Sequence, residues 1–229
     1  MTKLKEIVFS IESFLEQQSN YGIDEYFSPA EKKVMPKKEF FRELEEKVKQ
    51  CKLCGLYKEA TNAVFGEGNT RARLMFVGEG PGRDEDLQGR PFVGRAGNLL
   101  AKIIEAMGYT REDVYIANVV KHRPPQNRNP QPEEIRACLP YLLFQIEFIK
   151  PAVICALGKW ATETLLGEEK ISISQVRGKF QSFNLVKTEF PIKIMPTYHP
   201  AYLLRNPSAK KEVWADIKEI MQYLKEYEK

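Results

Sequence analysis

Apolar residues recur along this chain in two different periods. Four short stretches, 72–77, 113–119, 152–157 and 192–197, are apolar almost throughout, and a weaker one spans 180–187. Runs of this length bounded by turn residues predict strands buried on both faces. Helices are predicted between and after them, over 96–107, 131–149, 158–166 and 209–227. The second of these opens on Gln131-Pro132-Glu133-Glu134, which places proline and acidic side chains in a first turn. Upstream, Leu4, Ile7, Val8, Ile11, Phe14 and Leu15 fall at helical spacing over 3–18. Residues 21–36, with Gly22 and Pro29, predict a loop or linker, and 37–50 a second helix with Phe40, Phe41, Leu44 and Val48 on one stripe.

Strands alternating with helices predict an α/β fold, a mainly parallel sheet with helices on both faces. The expected division is an N-terminal helical extension and linker over 1–36 and one domain over 37–229. In such a sheet the ligand site lies beyond the carboxyl ends of the strands. No internal repeat interrupts this pattern.

The most distinctive stretch begins in the first strand. Leu74-Met75-Phe76-Val77 stops at Gly78-Glu79-Gly80-Pro81-Gly82, and a second glycine-spaced loop, Gly89-Arg90-Pro91-Phe92-Val93-Gly94, comes after a charged segment. Three glycines bring bare N–H groups to the sheet edge, and one aromatic sits between two turns, a pairing suited to a flat, polar, partly anionic group. A dinucleotide fingerprint is a poor match. The GxGxxG spacing is absent, no helix is expected after the loop, and Arg83-Asp84-Glu85-Asp86 would repel a pyrophosphate. Gly158-Lys159 lacks the lead-in of a P-loop.

The chain has 229 residues, 43% apolar and 29% charged, which excludes disordered and fibrous classes. A net charge of +4 permits nucleic-acid binding without requiring it. No apolar run approaches a membrane span, and Glu6, Glu12 and Glu16 sit where a signal peptide would be apolar, so a cytosolic, cytoplasmic protein with no membrane association is expected. There, cysteines are not expected to form structural disulfides. The four are a close pair, Cys51-Lys52-Leu53-Cys54, followed by Cys138 and Cys155. Four thiolates suit zinc or an iron–sulfur cluster. Sixteen residues between Cys138 and Cys155 depart from the two close pairs of a zinc ribbon, and no strand precedes the CxxC as in a thioredoxin-like unit. Taken alone, Cys155, in Val153-Ile154-Cys155-Ala156-Leu157, would be a core residue.

Two further strands end in polar groups. Asn118 closes an otherwise apolar run and needs a partner, either backbone or ligand. Lys121, His122, Arg123 and Arg128, set among prolines, make a basic loop suited to phosphates or to solvent. His199, one of two histidines, comes after the strand at 192–197 and precedes Pro200, with Leu203-Leu204-Arg205 forming an apolar and basic tip.

GEGPG, GRPFVGRAG, NVV-K-x-RPP and HPAYLLR, in that order and downstream of a CxxC, resemble the iron–sulfur (family 4) uracil-DNA glycosylases over roughly residues 40–225. The resemblance implies a three-layer αβα fold around a four-stranded, mainly parallel sheet. It also implies a monofunctional repair enzyme acting as a monomer on uracil in double- or single-stranded DNA. A [4Fe-4S] cluster would sit on Cys51, Cys54, Cys138 and Cys155. Gly78, Glu79, Gly80, Pro81 and Gly82 would line the uracil pocket and the water site, Phe92 would stack on the base, Asn118 would read its edge and His199 would face O2, with Glu79, Asn118 and His199 the catalytic residues. Lys121, Arg123, Leu203, Leu204 and Arg205 would meet the DNA, and His122 carries no firm expectation. The sequence holds nothing from which a sliding-clamp partner can be read. Rival readings are a non-catalytic nucleic-acid-binding domain with a four-cysteine metal site, and an iron–sulfur or nucleotide-binding electron carrier.

Overall fold

A computed structural model describes residues 37–183 and 191–227. The helix predicted over 3–18, the linker after it and the second half of the strand predicted over 180–187 lie outside the described residues.

Helix α1 (Lys37–Lys49) delivers the chain to the CxxC pair. The strands are β1 (Glu67–Gly68), β2 (Leu74–Gly78), β3 (Tyr115–Asn118), β4 (Val153–Leu157), β5 (Gln181–Ser182) and β6 (Lys193–Thr197). They form one sheet in the order β1-β3-β2-β4-β6-β5. The inner four are mutually parallel, as expected; the two-residue β1 and β5 pair antiparallel to β3 and β6 and extend the sheet to six strands.

Helices cover both faces, giving three layers. In β2 the side chains of Met75 and Val77 join one core, and Leu74 and Phe76 join the other. This two-sided burial is why the strand reads as continuously apolar. The first core receives α1 through Phe41, Leu44 and Val48, together with α4 (Pro132–Ile149) and α5 (Lys159–Leu166). The second receives α3 (Arg95–Ala106) and α8 (Lys210–Tyr227), whose stripe Val213, Ile217, Ile220 and Leu224 is buried. Helix α4 begins as its sequence suggests, with Pro132 in its first turn and the Glu134 carboxylate accepting from Gln131 N–H at 2.7 Å. No helix among the described residues is long and apolar enough to cross a membrane.

Three short helices had no strong signal: α2 (Arg83–Gln88), α6 (Ile173–Val176) and α7 (Pro200–Arg205). Helix α2 corrects the expectation that no helix comes after GEGPG. Its residues carry charge rather than an apolar stripe, so periodicity could not reveal it.

Topology then creates the site. From β2 the chain crosses through α3 to β3 on one side, and from β4 through α5 to β6 on the other. The carboxyl ends of neighbouring β2 and β4 therefore release loops in opposite directions and leave a crevice between them.

Candidate functional site

Strand register gathers the polar ends. Gly78, last in β2, lies beside Asn118, last in β3. The ladder continues one step into the loops, with Val119 N–H donating to Gly78 O at 2.9 Å and Val120 N–H to Glu79 O at 3.1 Å. On the other side, Leu157 pairs with Thr197, and Gly158 adopts a positive φ of 91° that turns the chain tightly under His199. A Cβ at Gly158 would stand 3.0 Å from that of His199.

These ends line a cavity of roughly 460 Å³ with Glu79, Phe92, Asn118, His199, Tyr202 and Arg205 among its walls. Such a volume suits a small planar ligand. The Asn118 side chain is buried, and its Oδ1 is the only buried side-chain oxygen or nitrogen among the described residues with no hydrogen-bond partner. A buried acceptor of this kind costs about 1–3 kcal/mol unless something satisfies it, so it marks where a ligand's donor belongs.

His199 caps α7: its Nδ1 accepts from Ala201 N–H at 3.1 Å. An accepting Nδ1 leaves the proton on Nε2, which can donate. The surrounding protein, with help from the Arg205 charge, lowers its pKa to about 4, so the ring is neutral at physiological pH. Its ring centroid lies 5.7 Å from that of Phe92 at an interplanar angle of 34°. Behind it, Thr197 Oγ1 donates to Asp216 at 2.6 Å, and Arg177 forms an ion pair with the same carboxylate, which fixes the end of β6.

The Phe92 loop is held from two directions. Glu85 of α2 accepts from Val93 and Gly94 N–H with Oε1 at 2.9 and 2.8 Å, and from Gly82 N–H with Oε2 at 3.1 Å. One carboxylate thus ties GEGPG to GRPFVG. From the other side the Arg111 guanidinium donates to Pro91 O at 2.7 Å and Phe92 O at 3.0 Å while paired with Glu67. Phe92 sits at φ 51°, an uncommon setting for a bulky residue that the surroundings must hold. Gly97 completes the seat, since a Cβ there would lie 2.0 Å from the Phe92 carbonyl.

Glu79 is half-buried, and burial lifts its carboxyl from an ordinary 4.5 to about 7. In the unfolded chain that group ionises near 4.5. Between the two values the folded state keeps a proton the unfolded state has lost. Its contribution to stability is therefore complete at low pH and declines as pH rises through about 7. Glu79→Gln is accordingly expected to stabilise the protein at pH 8 by roughly 1–3 kcal/mol and to change little at pH 4. Thermal melts at the two pH values check this; equal shifts at both would contradict it.

Several expectations need correction. Lys121 does not face phosphates: it is fully buried, its Nζ donating to Asn118 O at 2.9 Å and Gln145 Oε1 at 2.7 Å, and burial lowers its pKa to about 8. Leu203 is 1% exposed and belongs to the core, leaving Tyr202, Leu204 and Arg205 on the open side of α7. Arg123 is not among these corrections: it stays half-exposed in the basic loop, donating to Asn127 Oδ1, whereas Arg128 is taken up in a bidentate pair with Glu134.

The cysteines also divide. Cys138 joins the core on the α1–α4 face, with Cys51 and Cys54 packed against it. Burial and the proximity of those two raise its thiol to about 12 despite the Lys121 charge and N–H, and burial likewise raises Cys54. Cys155 points the other way, fully buried with Leu74, Phe76 and Met195. It therefore cannot join the other three, because β4 and the sheet lie between. Among the described residues no three His, Cys, Asp or Glu side chains converge to hold a single metal ion.

Sequence reading missed Glu85, Arg111, Asn127 and Tyr202. Glu85 had a usable signal, three residues after Gly82 where a helix-capping carboxylate belongs. Arg111 had none, being distant in the chain from everything it holds.

Residues 65–218 match the family model of the uracil DNA glycosylase superfamily. A type-4 uracil-DNA glycosylase of Thermotoga maritima is 48% identical over 191 residues, covering 82% of this chain and 97% of that protein. One from Archaeoglobus fulgidus is 46% identical over 176 residues, covering 76% and 87%. A type-5 uracil-DNA glycosylase of Pyrobaculum aerophilum is 30% identical over 151 residues, covering 59% and 64%.

Proposed function

The chain belongs to the type-4 uracil-DNA glycosylases of the uracil DNA glycosylase superfamily, and from that membership we propose that it extrudes uracil from DNA and hydrolyses its N-glycosidic bond. The products are free uracil and an abasic site. The observation that carries this reading to the level of atoms is the unpartnered, buried Oδ1 of Asn118 beside the Phe92 ring.

A base within a duplex is out of reach and must be flipped out. In the cavity Phe92 stacks on the extruded ring and offsets part of the stacking it has lost. Asn118 Oδ1 accepts from uracil N3–H while its amide N–H donates to O4. Cytosine presents the reverse pattern and would leave those groups unpaired, at about 1–3 kcal/mol each.

Bond cleavage puts negative charge on the departing uracil and positive character on the sugar. Neutral His199 donates from Nε2 to O2, where the charge develops. Its low pKa suits this role, since a neutral imidazole keeps its hydrogen bond without surrendering the proton. A water then attacks the anomeric carbon, with Glu79 at the pocket wall to orient it once ionised. Leu204 and Arg205, on the open side of α7, meet the DNA beside the cavity, with Arg123 towards its backbone.

A [4Fe-4S] cluster fits three of the four expected cysteines, Cys51, Cys54 and Cys138, which share one core face. When bound it supplies a cross-link from the end of α1 to α4. That cross-link would stand behind the loop at Lys121, whose N–H donates to Cys138 Sγ at 3.2 Å. Cys51, Cys54 and Cys138 would hold it through their thiolates from that one face.

Arg111 and Glu67 enter as positioning residues for Phe92. Arg111→Met is expected to lower kcat about tenfold through a displaced stacking ring, with a smaller change in KM for DNA, because it leaves the DNA-facing side of α7 intact. Arg111→Lys, which lacks the fork, should restore only part. Steady-state kinetics on a uracil oligonucleotide separate these values, and an unchanged kcat in both variants would remove Arg111 from the account.

The reading itself is tested with matched oligonucleotides carrying uracil, thymine or cytosine at one position, followed by alkali. Cleavage at uracil alone supports it. Equal cleavage at all three, or none, sinks it.

A further inference from the structure

The fold leaves the cluster one ligand short, because Cys155 lies across the sheet from Cys51, Cys54 and Cys138. We infer that the imidazole of His122 supplies the fourth ligand and that Cys155 has no part in the site; this rests on the cluster reading above. His122 is the residue after Lys121, whose backbone N–H touches the Cys138 sulfur, so the chain carries it directly past the third cysteine. Its side chain is 7% exposed and makes no hydrogen bond among the described residues. Neither ring nitrogen has a protein partner among those residues, and neither is sealed off as Asn118 Oδ1 is, so both are open to water or to a bound group. Histidine is an established alternative to cysteine on iron–sulfur irons.

Among the described residues, the polar side chains that act on the three cysteines are already engaged. Both Glu134 carboxylate oxygens are taken by Arg128, and one also by Gln131 N–H. Tyr141 is engaged with Cys51. Asp86, whose charge acts on His122, accepts from the N–H groups of Thr61 and Asn62 on Oδ1. The exchange of one thiolate for a neutral imidazole also changes the chemistry, since the site then carries one negative charge fewer than four cysteines would give.

The test uses the full chain reconstituted anaerobically with iron and sulfide, as wild type, His122→Ala, His122→Cys and Cys155→Ala. Iron and sulfide content and visible absorption are measured, and the reduced clusters are examined by pulsed electron paramagnetic resonance for coupling to nitrogen. Expected are full iron in wild type and Cys155→Ala, loss of most iron in His122→Ala, and full iron in His122→Cys. A histidine nitrogen coupling should appear in wild type and vanish in His122→Cys. Loss of iron from Cys155→Ala, or identical nitrogen coupling in wild type and His122→Cys, overturns the assignment. A wild-type protein that takes up no iron fails at the earlier step, the cluster itself. Should His122→Ala not fold, the nitrogen signal lost in His122→Cys still decides.

Discussion

His199→Ala is expected to lower the single-turnover rate of uracil release by about 10²–10³-fold, the usual cost of removing one preorganised donor from a developing anion. The size reflects how firmly this donor is set. Nδ1 is engaged with Ala201 N–H, so Nε2 is the nitrogen left to donate, and the Thr197–Asp216–Arg177 cluster anchors the strand end that presents the ring. The loss should appear in the chemical step, with DNA affinity nearly unchanged, because the bond to O2 strengthens only as charge develops. His199→Gln, whose amide can donate but has another reach, should recover a minor part. Since burial holds the wild-type ring neutral down to a pKa of about 4, its activity should show no histidine titration between pH 5.5 and about 8. Single-turnover assays over that range, run on wild type and on Glu79→Gln so that the Glu79 titration near 7 is identified, check both statements. A loss below about threefold in His199→Ala would take the residue out of the transition state.

Gly78→Ala should be nearly as damaging, for a different reason. An added Cβ would sit 2.5 Å from Asn118 Oδ1 and 2.5 Å from Phe92 Cζ, closer than nonbonded atoms tolerate. Gly78 is not in the left-handed region, so its backbone accepts alanine and the conflict is one of space alone. Either the amide or the ring must move, and both contact the base. A displacement of about 1 Å can cost on the order of 10²-fold in rate. The expected result is that loss with a melting temperature within a few degrees of wild type, measured on the same preparation. Normal excision by a folded Gly78→Ala protein would mean that Asn118 and Phe92 do not grip the base together.

How much of this was legible in the sequence depended on length and parity. The four parallel strands and the long helices fell within a residue or two of expectation, because each is a continuous apolar run or a long stripe. Helices α2 and α7 are six residues each, too short for periodicity to register, and α2 is nearly all polar. The site residues at strand ends, Gly78, Asn118 and His199, could be found because a parallel sheet puts its chemistry there. Which way a loop side chain turns was not legible. Lys121 and Leu203 both looked like DNA contacts, yet both go inward, one to Gln145 and the other to the core. Cys155 failed on parity. Successive strand residues face opposite layers, and the layer holding Cys51 and Cys54 was unknown until α1 had been placed against α4.

The central claim is that one cavity, closed by Phe92 and read by Asn118, releases uracil by hydrolysis and leaves the DNA strand whole. It is tested most directly by incubating the cluster-loaded protein with a duplex carrying a single uracil and quantifying both free uracil and strand breaks before alkali. The account predicts one free uracil per substrate molecule and no break until alkali is added. Breakage without alkali, or an intact substrate with no uracil released, would contradict it.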